Sequence, residues 1–419
     1  MKRDLLTIFV LSIVILIVWR SAIFNFFAQD DFILIDHFSQ NNIWQDIKNV
    51  FGPPAVTHWR TIHNLYFFIS GNLFGKTYFL YHFLTLLIVV GTGFLIYKIA
   101  QKVWGDFNVA LLSALIYVIH PAHFVAVFWI AGSALNIGFF FFLLSFYLLL
   151  QQKIIPSIFF YFVSLLASEA MIAALPIFIF GPLFKKVRLL SNYTGAIILT
   201  TIVFLTIKLV NTPQATFDIY KLEISTKTIF AMRYYILRTL GFAEPSGDLF
   251  LSIVMAVVLI AIFLKIFRIK KERRKMVFPL LTFGGFSPFI LLPNHLSPHY
   301  MVLPVFGISQ LLALGLSKLD KKLMIGGFLL LMLISFFNIN ITTNNNWVIK
   351  RSNLAKGHLH RIEKQNLPDG STLVFDETEI STSEEAYISL GTGEAIKFWF
   401  KDRNYKTCFT RFEKCSPLP

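Results

Sequence analysis

The sequence predicts an all-α polytopic membrane protein that ends in a small C-terminal extracytoplasmic α/β domain. Of its 419 residues, 56% are hydrophobic and only 15% are charged, and the mean hydropathy is +0.65. In addition, many apolar runs exceed about 18 residues, the length that a helix needs to cross a bilayer. We therefore expect about 11 transmembrane helices in residues 1–344 and the small domain in residues 345–419.

The candidate spans follow from these apolar runs. They lie near residues 5–24, 77–98, 107–121, 125–150, 154–168, 170–184, 193–211, 247–267, 277–292, 300–317 and 323–340. The first span begins like a signal peptide, with Lys2 and Arg3 before the apolar run. The bulky side chains of Phe24, Phe26 and Phe27 stand where a cleavage site would need small residues, so we expect this span to be retained.

The basic residues indicate the orientation. The formal net charge of +15 could suggest nucleic acid, but a nucleic-acid-binding protein gathers its cations on one soluble face. Here they recur in every second loop, which is typical of cytoplasmic loops. These loops contain Lys2 and Arg3; Lys98 and Lys102; Lys153; Lys185, Lys186 and Arg188; the run "KIFRIKKERRK" at 265–275; and Lys318, Lys321 and Lys322.

This orientation predicts a cytoplasmic amino terminus in a cell membrane. The outer side then receives the loop 25–76, several later turns and everything after residue 341. A bacterial cytoplasmic membrane is the interpretation we adopt, and an endoplasmic-reticulum setting stays open.

The C-terminal region changes composition, with charges of both signs and a "LPDGS" turn. The runs "TLVF", "IKFWF" and "KTCFTRF" predict short strands. Cys408 and Cys415 are the only cysteines and would lie in an oxidising compartment, where a disulfide and two free thiols are equally compatible with the sequence.

Asp30 and Asp31 follow the first span in "NFFAQDDFILIDHF". They could be a solvated pair that caps an outer segment. However, charged side chains beside apolar sequence at a membrane mark functional sites more often than chance. The functional alternatives are a general base for an acceptor hydroxyl and a ligand of a divalent metal.

Several other polar residues occur in the predicted outer segments. The stretch "THWRTIHNLYFF" at 57–68 contains His58 and Arg60 and predicts an interfacial helix. The Arg60 guanidinium could reach the headgroups or bind a phosphate through two hydrogen bonds. His120 and His123 could ligate a metal, but hydrogen bonding in an outer cavity is the better interpretation. Glu169 could cap a helix with Ser168 or act in a functional site.

Several stretches within residues 20–180 follow one another in the order and spacing typical of the GT-C membrane glycosyltransferases. They resemble most the branch of the protein O-mannosyltransferases and aminoarabinose transferases. They are "FFAQDDFILIDHFSQNNIWQDIKNVF", the segment that starts "WRTIHNLYFFISGNLFGKTYFLYHF", "HPAHFVAVFWIAGSALN" and "SEAMIAALP". The later "HYMVLP" at 299–304 is similar to a further motif of these enzymes.

The resemblance implies a polyprenyl-phosphate sugar as donor and an aspartate of the first outer loop as catalytic base. It implies catalytic roles for Asp30 and Asp31. By the same resemblance the donor phosphate is bound by Arg60, with help from His299, Tyr300 or Arg233. The residues expected in the cavity or at the acceptor are His58, His120, His123, Trp129 and Glu169.

The chain departs from the family pattern at three positions. Ser133, Ser168 and His299 stand where the family often has a basic residue, so the phosphate-binding set is thinner here. Arg233 and Arg238 could supply the missing charge.

We therefore predict an inverting transfer of sugar to an acceptor hydroxyl of a protein, lipid or glycan on the extracytoplasmic side. No cofactor is expected with certainty, and a divalent metal is left open. One alternative is a transporter or flippase of lipid-linked saccharides, whose ionisable residues would lie nearer the bilayer midplane. Another is an inactive scaffold that keeps the fold.

Overall fold

A computed structural model describes residues 2–39, 42–52, 59–180, 191–211, 221–242, 273–377 and 380–415. His58 and the candidate span 247–267 lie outside these described residues.

Six described helices are long and apolar enough to cross a membrane, and the chain is a multi-pass membrane protein. A seventh crossing is formed if the bent pair Phe107–Val118 and Pro121–Phe128 counts as one span, and three further apolar helices have only 10–17 residues. The described part of the chain therefore holds fewer complete spans than the 11 that the sequence predicts. The all-α membrane fold class itself is confirmed.

The helices of the membrane part are numbered in chain order. They are α1 (Lys2–Trp19), α2 (Asp30–Phe38), α3 (Ile43–Phe51), α4 (Thr61–Phe74), α5 (Tyr78–Trp104), α6 (Phe107–Val118), α7 (Phe124–Phe128), α8 (Ser133–Leu150), α9 (Ile154–Ala167), α10 (Leu175–Phe180), α11 (Ser191–Asn211), α12 (Thr226–Thr239), α13 (Arg273–Phe283), α14 (Val302–Leu316) and α15 (Lys321–Asn345).

The predicted continuous span at 125–150 is wrong, because the chain breaks between α7 and α8. Trp129 adopts an extended backbone (φ −108°, ψ 119°), and helix resumes only at Ser133. A side-chain bond from Asn136 Nδ2 to the Ala126 carbonyl, 2.9 Å long, satisfies a backbone acceptor at the end of α7. The break thus exposes backbone groups that other segments can bind.

The C-terminal domain consists of α16 (Trp347–Gln365), β1 (Thr372–Phe375), α17 (Ser383–Ser389), α18 (Glu394–Trp399) and β2 (Lys406–Phe409). The strands pair in parallel, with Thr372 opposite Lys406 and Phe375 opposite Phe409. Cys408 and Cys415 form a disulfide with their Cα atoms 5.8 Å apart.

The strands predicted from "TLVF" and "KTCFTRF" are confirmed, and the strand predicted from "IKFWF" is wrong. This run lies in α18, where Ala395, Ile396 and Phe398 form a buried helical face. The Phe398 ring packs edge-on against Phe27, with ring centroids 6.0 Å apart. Tertiary packing therefore decides the structure of a run whose composition suits either element.

The C-terminal domain shares a hydrophobic core with the segment that precedes and forms α2. Phe27, Phe32 and Ile35 are fully buried in one cluster with Leu390 and Phe398 of the domain. A separate cluster fills the helix bundle. The domain therefore packs directly on the acidic segment.

Candidate functional site

A cavity of about 440 Å³ lies between the helix bundle and the C-terminal domain. Five segments of the chain build its walls: the segments around α2 and around α4, the break between α7 and α8, the turn before α14, and the start of α16. The lining residues are Gln29, Asp30, Leu34, Arg60, His63, Asn64, Trp129, Ala131, Gly132, Ala134, Leu135, His295, Leu296, Ser297, His299, Tyr300, Trp347 and Arg351.

Asp30 and Asp31 begin α2 but occupy different surroundings. Asp30 is half-buried and lines the cavity. Asp31 is only 1% exposed, and its carboxylate accepts the N–H groups of Ala28 at 2.9 Å and Ala131 at 2.7 Å. Asp31 thus ties the acidic segment to the helix break, while Asp30 is the carboxylate that a ligand in the cavity can reach.

Burial raises the pKa of both carboxyl groups. It raises the pKa of Asp31 to about 8, against the hydrogen bonds of Ala28 and Ala131, which favour the charged form. Burial also raises the pKa of Asp30, opposed by a hydrogen bond from Gln29 and by the charges of Arg351 and Arg60. Both guanidinium groups therefore act electrostatically on Asp30.

The turn into α2 depends on an unusual backbone conformation at Gln29. Its φ of 53° and ψ of −116° are rare for a residue with a side chain, and such a conformation costs about 1–3 kcal/mol. The turn is closed by a bond from the Phe32 N–H to the Gln29 carbonyl, 3.1 Å long. Contacts from the rest of the protein must hold this conformation.

Arg60, Glu169 and Lys208 form what we call the bundle cluster. Arg60 donates from Nε to Glu169 Oε2 at 2.9 Å and from Nη2 to Oε1 at 2.8 Å, and Lys208 Nζ lies 3.2 Å from Oε2. The three side chains are each between 18% and 26% exposed. Two cations thus share one carboxylate, and the cluster has a formal charge of +1.

Gln29, Trp347 and Arg351 form a second group, which we call the domain cluster. The Arg351 guanidinium lies over the Trp347 ring, 4.7 Å from its centroid, and donates from Nη1 to Gln29 Oε1. The Trp347 ring meets Trp129 edge-on, with centroids 5.2 Å apart. The indole N–H of Trp129 in turn donates to the Ala28 carbonyl at 3.3 Å.

Neutral imidazole groups line the remaining wall. Burial, with the nearby charge of Arg60, lowers the pKa of His63 to about 3 and lowers the pKa of His295. His63 is 3% exposed, and its Nε2 has no hydrogen-bond partner among the described residues. His299 Nδ1 lies 2.6 Å from the Ser297 hydroxyl. These groups can hydrogen-bond hydroxyl groups of a ligand without adding charge.

An apolar recess of about 250 Å³ adjoins the cavity, and Tyr300 lines both. The Tyr300 ring stacks on Phe289, with centroids 4.4 Å apart. The other lining residues are Glu169, Ala170, Ile172, Ala173, Pro288 and Leu292. The recess is suited to a hydrocarbon chain whose polar end reaches the cavity.

The sequence-predicted residues divide into three groups. Asp30, Arg60, Trp129, His299 and Tyr300 line the cavity, and Glu169 supports it through Arg60. Other predicted residues do not line it: these are Asp31, His120, His123 and Arg233. His58 lies outside the described residues.

His120 and His123 are buried in backbone contacts. His120 Nε2 lies 3.1 Å from the Thr239 carbonyl, and His123 Nε2 lies 2.9 Å from the Tyr117 carbonyl. Arg238 donates to the Phe242 carbonyl at 2.5 Å and lies over Tyr234. These three side chains stabilise turns next to the site.

The most important residue that sequence reasoning missed is Arg351, together with its partners Gln29 and Trp347. Trp347 and Arg351 are four residues apart on α16, which places them on one helix face. That spacing, directly after the last span, was the available signal.

Within the described residues, no group of three or more His, Cys, Asp or Glu side chains could hold a metal ion. The divalent metal that the sequence left open stays a prediction.

The fold is similar to that of a solved structure, ArnT, in agreement with the fold class that the sequence predicts. ArnT from Cupriavidus metallidurans, solved bound to undecaprenyl phosphate, has a TM-score of 0.58 at 10% identity, over 95% of this chain and 85% of that chain. The Archaeoglobus fulgidus oligosaccharyltransferase, solved tethered to an acceptor peptide with the NVT sequon, has a TM-score of 0.44 at 11% identity, over 96% and 63%. No protein-family model and no curated protein matches the chain. At 10% identity, the likeness to ArnT shows the fold alone.

Proposed function

We propose that this protein is a membrane glycosyltransferase that moves a sugar from a polyprenyl-phosphate donor to an acceptor hydroxyl, with inversion, on the extracytoplasmic side. One observation carries the proposal: the accessible carboxylate of Asp30 and the guanidinium groups of Arg60 and Arg351 line a single cavity. An apolar recess adjoins that cavity. This combination suits a ligand with a hydrocarbon chain, a phosphate and a sugar.

The donor phosphate is expected at the bundle cluster. Arg60 lines the cavity, and Glu169 fixes its guanidinium through two hydrogen bonds. Lys208 also contacts Glu169, so a second cation lies beside Arg60. A guanidinium binds a phosphate in a fixed geometry, which favours this part of the cavity for the donor phosphate. His299 and Tyr300 line the same cavity as Arg60 and are expected to contact the phosphate as well.

The first units of the polyprenyl chain are expected in the apolar recess. Tyr300 lines both spaces, so a lipid there would place its phosphate beside the cavity. Glu169 at the recess belongs to the bundle cluster, which brings the charged group and the apolar surface together. Acceptor and sugar then occupy the larger cavity, near Trp129 and the neutral His63.

The transfer follows from these positions. The acceptor O–H gives its proton to the Asp30 carboxylate while its oxygen forms a bond to the anomeric carbon. The bond between that carbon and the phosphate oxygen breaks, and its electron pair leaves with the lipid phosphate. Attack opposite the leaving group inverts the anomeric centre. The cations near the phosphate stabilise the charge that develops on it.

Asp30 is a better candidate than Asp31 for the base. Both oxygens of Asp31 accept backbone N–H groups, and the side chain is buried away from the cavity. A base must come within hydrogen-bond reach of the proton that it abstracts, and Asp30, unlike Asp31, lines the cavity that would hold the acceptor. Arg351 and Arg60 favour its charged form against the effect of burial.

The function can be tested with purified protein in liposomes that contain labelled polyprenyl-phosphate sugars and an acceptor-bearing membrane extract. We expect the protein to transfer sugar from at least one donor. Asp30→Asn should lower the rate by about 10²–10⁴, the usual contribution of a general base. The matched control is Asp402→Asn, which removes an exposed carboxylate of the C-terminal domain.

Two results would overturn the proposal. One is that the wild type consumes no donor of the panel. The other is that Asp30→Asn transfers sugar as fast as Asp402→Asn. Movement of intact donor across the bilayer without transfer would instead indicate a flippase.

A further inference from the structure

The acidic turn that presents Asp30 is held by the C-terminal domain. The Gln29 N–H donates to the Ser389 carbonyl at 3.0 Å, and the Ser352 hydroxyl donates to the Phe26 carbonyl at 3.0 Å. Arg351 adds the hydrogen bond to the Gln29 side chain. Three separate bonds from the domain therefore fix the residues directly before Asp30.

Gly391 shows how closely the domain fits this turn. Its φ is +57°, and a Cβ atom there would lie 2.6 Å from the Gln29 carbonyl oxygen. It would also lie 3.3 Å from Phe32 Cβ. Because the nearest atom is backbone, a side chain at Gly391 must displace the turn.

Arg351 belongs both to the domain and to the cavity. It lines the cavity, lies over the Trp347 ring and bonds to Gln29. Its side chain therefore contacts both the acidic turn and the space that a ligand would occupy. Its position next to the Asp30 carboxylate gives it a second effect, since a nearby cation favours the charged acid.

We propose that the C-terminal domain is a positioning part of the reaction site: Arg351 and the Ser389–Gly391 turn hold Gln29 in its positive-φ conformation and thereby set the position of the Asp30 carboxylate. Arg351 is a positioning residue in this account, because it acts on the reaction through Gln29 and Asp30. The inference rests on the proposed function for its kinetic part only. The mechanical coupling between domain and turn is independent of the reaction.

The main variant is Arg351→Met, which keeps an unbranched side chain and removes the charge and the hydrogen bonds. Its matched control is Lys356→Met, which removes an exposed cation from the same helix. Arg351→Lys restores the charge, and Gly391→Ala displaces the turn from the other side. Each variant is made in the full-length protein.

Kinetically, Arg351→Met should lower turnover about 10- to 100-fold with donor affinity within about twofold, since small misplacements of a reacting group have effects of this size. The pH dependence should also shift. Arg351 lowers the pKa of Asp30, so its removal should move the rate profile to higher pH, and Arg351→Lys should reverse most of this shift. Lys356→Met should leave both unchanged.

Hydrogen exchange gives a readout that does not depend on activity. In Arg351→Met and Gly391→Ala, residues 26–32 should exchange faster, while the α5 and α8 amides should not change. Unchanged exchange in both variants would overturn the inference. If the wild type transfers sugar but Arg351→Met equals Lys356→Met in rate and pH profile, the inference fails while the proposed function stands. If the wild type transfers nothing, exchange alone decides the coupling.

Discussion

The two clusters at the cavity hold a guanidinium in opposite ways. In the bundle cluster, Glu169 binds Arg60 through two charged hydrogen bonds and also contacts Lys208. In the domain cluster, Arg351 lies on an aromatic ring and bonds to a neutral amide. The first arrangement gives a rigid, weakly positive surface suited to a phosphate. The second places a cation that acts on the neighbouring Asp30, so donor binding depends more on the first cluster and the state of Asp30 depends more on the second.

Asp31 ties the acidic segment to the break between α7 and α8, and its removal should have the largest effect on stability. Asp31→Ala leaves the N–H groups of Ala28 and Ala131 without their acceptor. Each buried unsatisfied group costs about 1–3 kcal/mol, so we expect a loss of roughly 2–6 kcal/mol in the free energy of unfolding. Thermal unfolding in detergent, compared with Asp402→Ala, measures it. An unchanged unfolding temperature would mean that the bonds from Asp31 to Ala28 and Ala131 do not stabilise the fold.

Arg60→Ala should weaken binding of polyprenyl phosphate about 10- to 100-fold, because hydrogen bonds to charged groups contribute about 1.5–3 kcal/mol. Turnover at saturating donor should also fall, because Arg60 stabilises the charge that develops on the leaving phosphate. The control is Arg361→Ala, an exposed arginine of α16. Equal donor affinity in the two variants would show that Arg60 does not bind the donor phosphate. The two clusters would then not differ in the roles proposed here.

Lys208→Met should have a smaller effect in the same direction. Lys208 contacts Glu169 and is not among the residues that line the cavity, so its charge acts at longer range. We expect donor affinity to fall by about 3- to 10-fold, and the loss should shrink at high salt because screening weakens such interactions. A loss as large as that of Arg60→Ala would place Lys208 in direct contact with the phosphate.

Local sequence patterns predicted the parts of the fold that depend on local composition. The apolar runs predicted the membrane class, and alternation predicted β1 and β2. The break at Trp129–Gly132 was not predicted, since the sequence is apolar throughout and the stabilising bond comes from Asp31, 100 residues earlier. The helix α18 was likewise decided by packing against Phe27.

The residues of the site were likewise predicted only where a local motif contains them. Five residues of the family-like motifs lie in one cavity, although their roles stay predictions: Asp30, Arg60, Trp129, His299 and Tyr300. Arg351 was missed because its contact with Gln29 spans 322 positions and crosses what the sequence treats as a domain boundary. No local pattern reports which face of a separate domain meets an acidic turn.

The central claim is that Asp30 accepts the acceptor proton, and its most direct test is the single-turnover rate of bound donor as a function of pH. Since only the charged carboxylate accepts a proton, the wild-type rate should rise as pH increases through the pKa of Asp30, which burial places above the ordinary value of 3.8. Asp30→Asn should bind donor with unchanged affinity, react about 10²–10⁴ times more slowly and lose this rise. An Asp30→Asn variant with the rate and pH profile of the wild type would contradict the account.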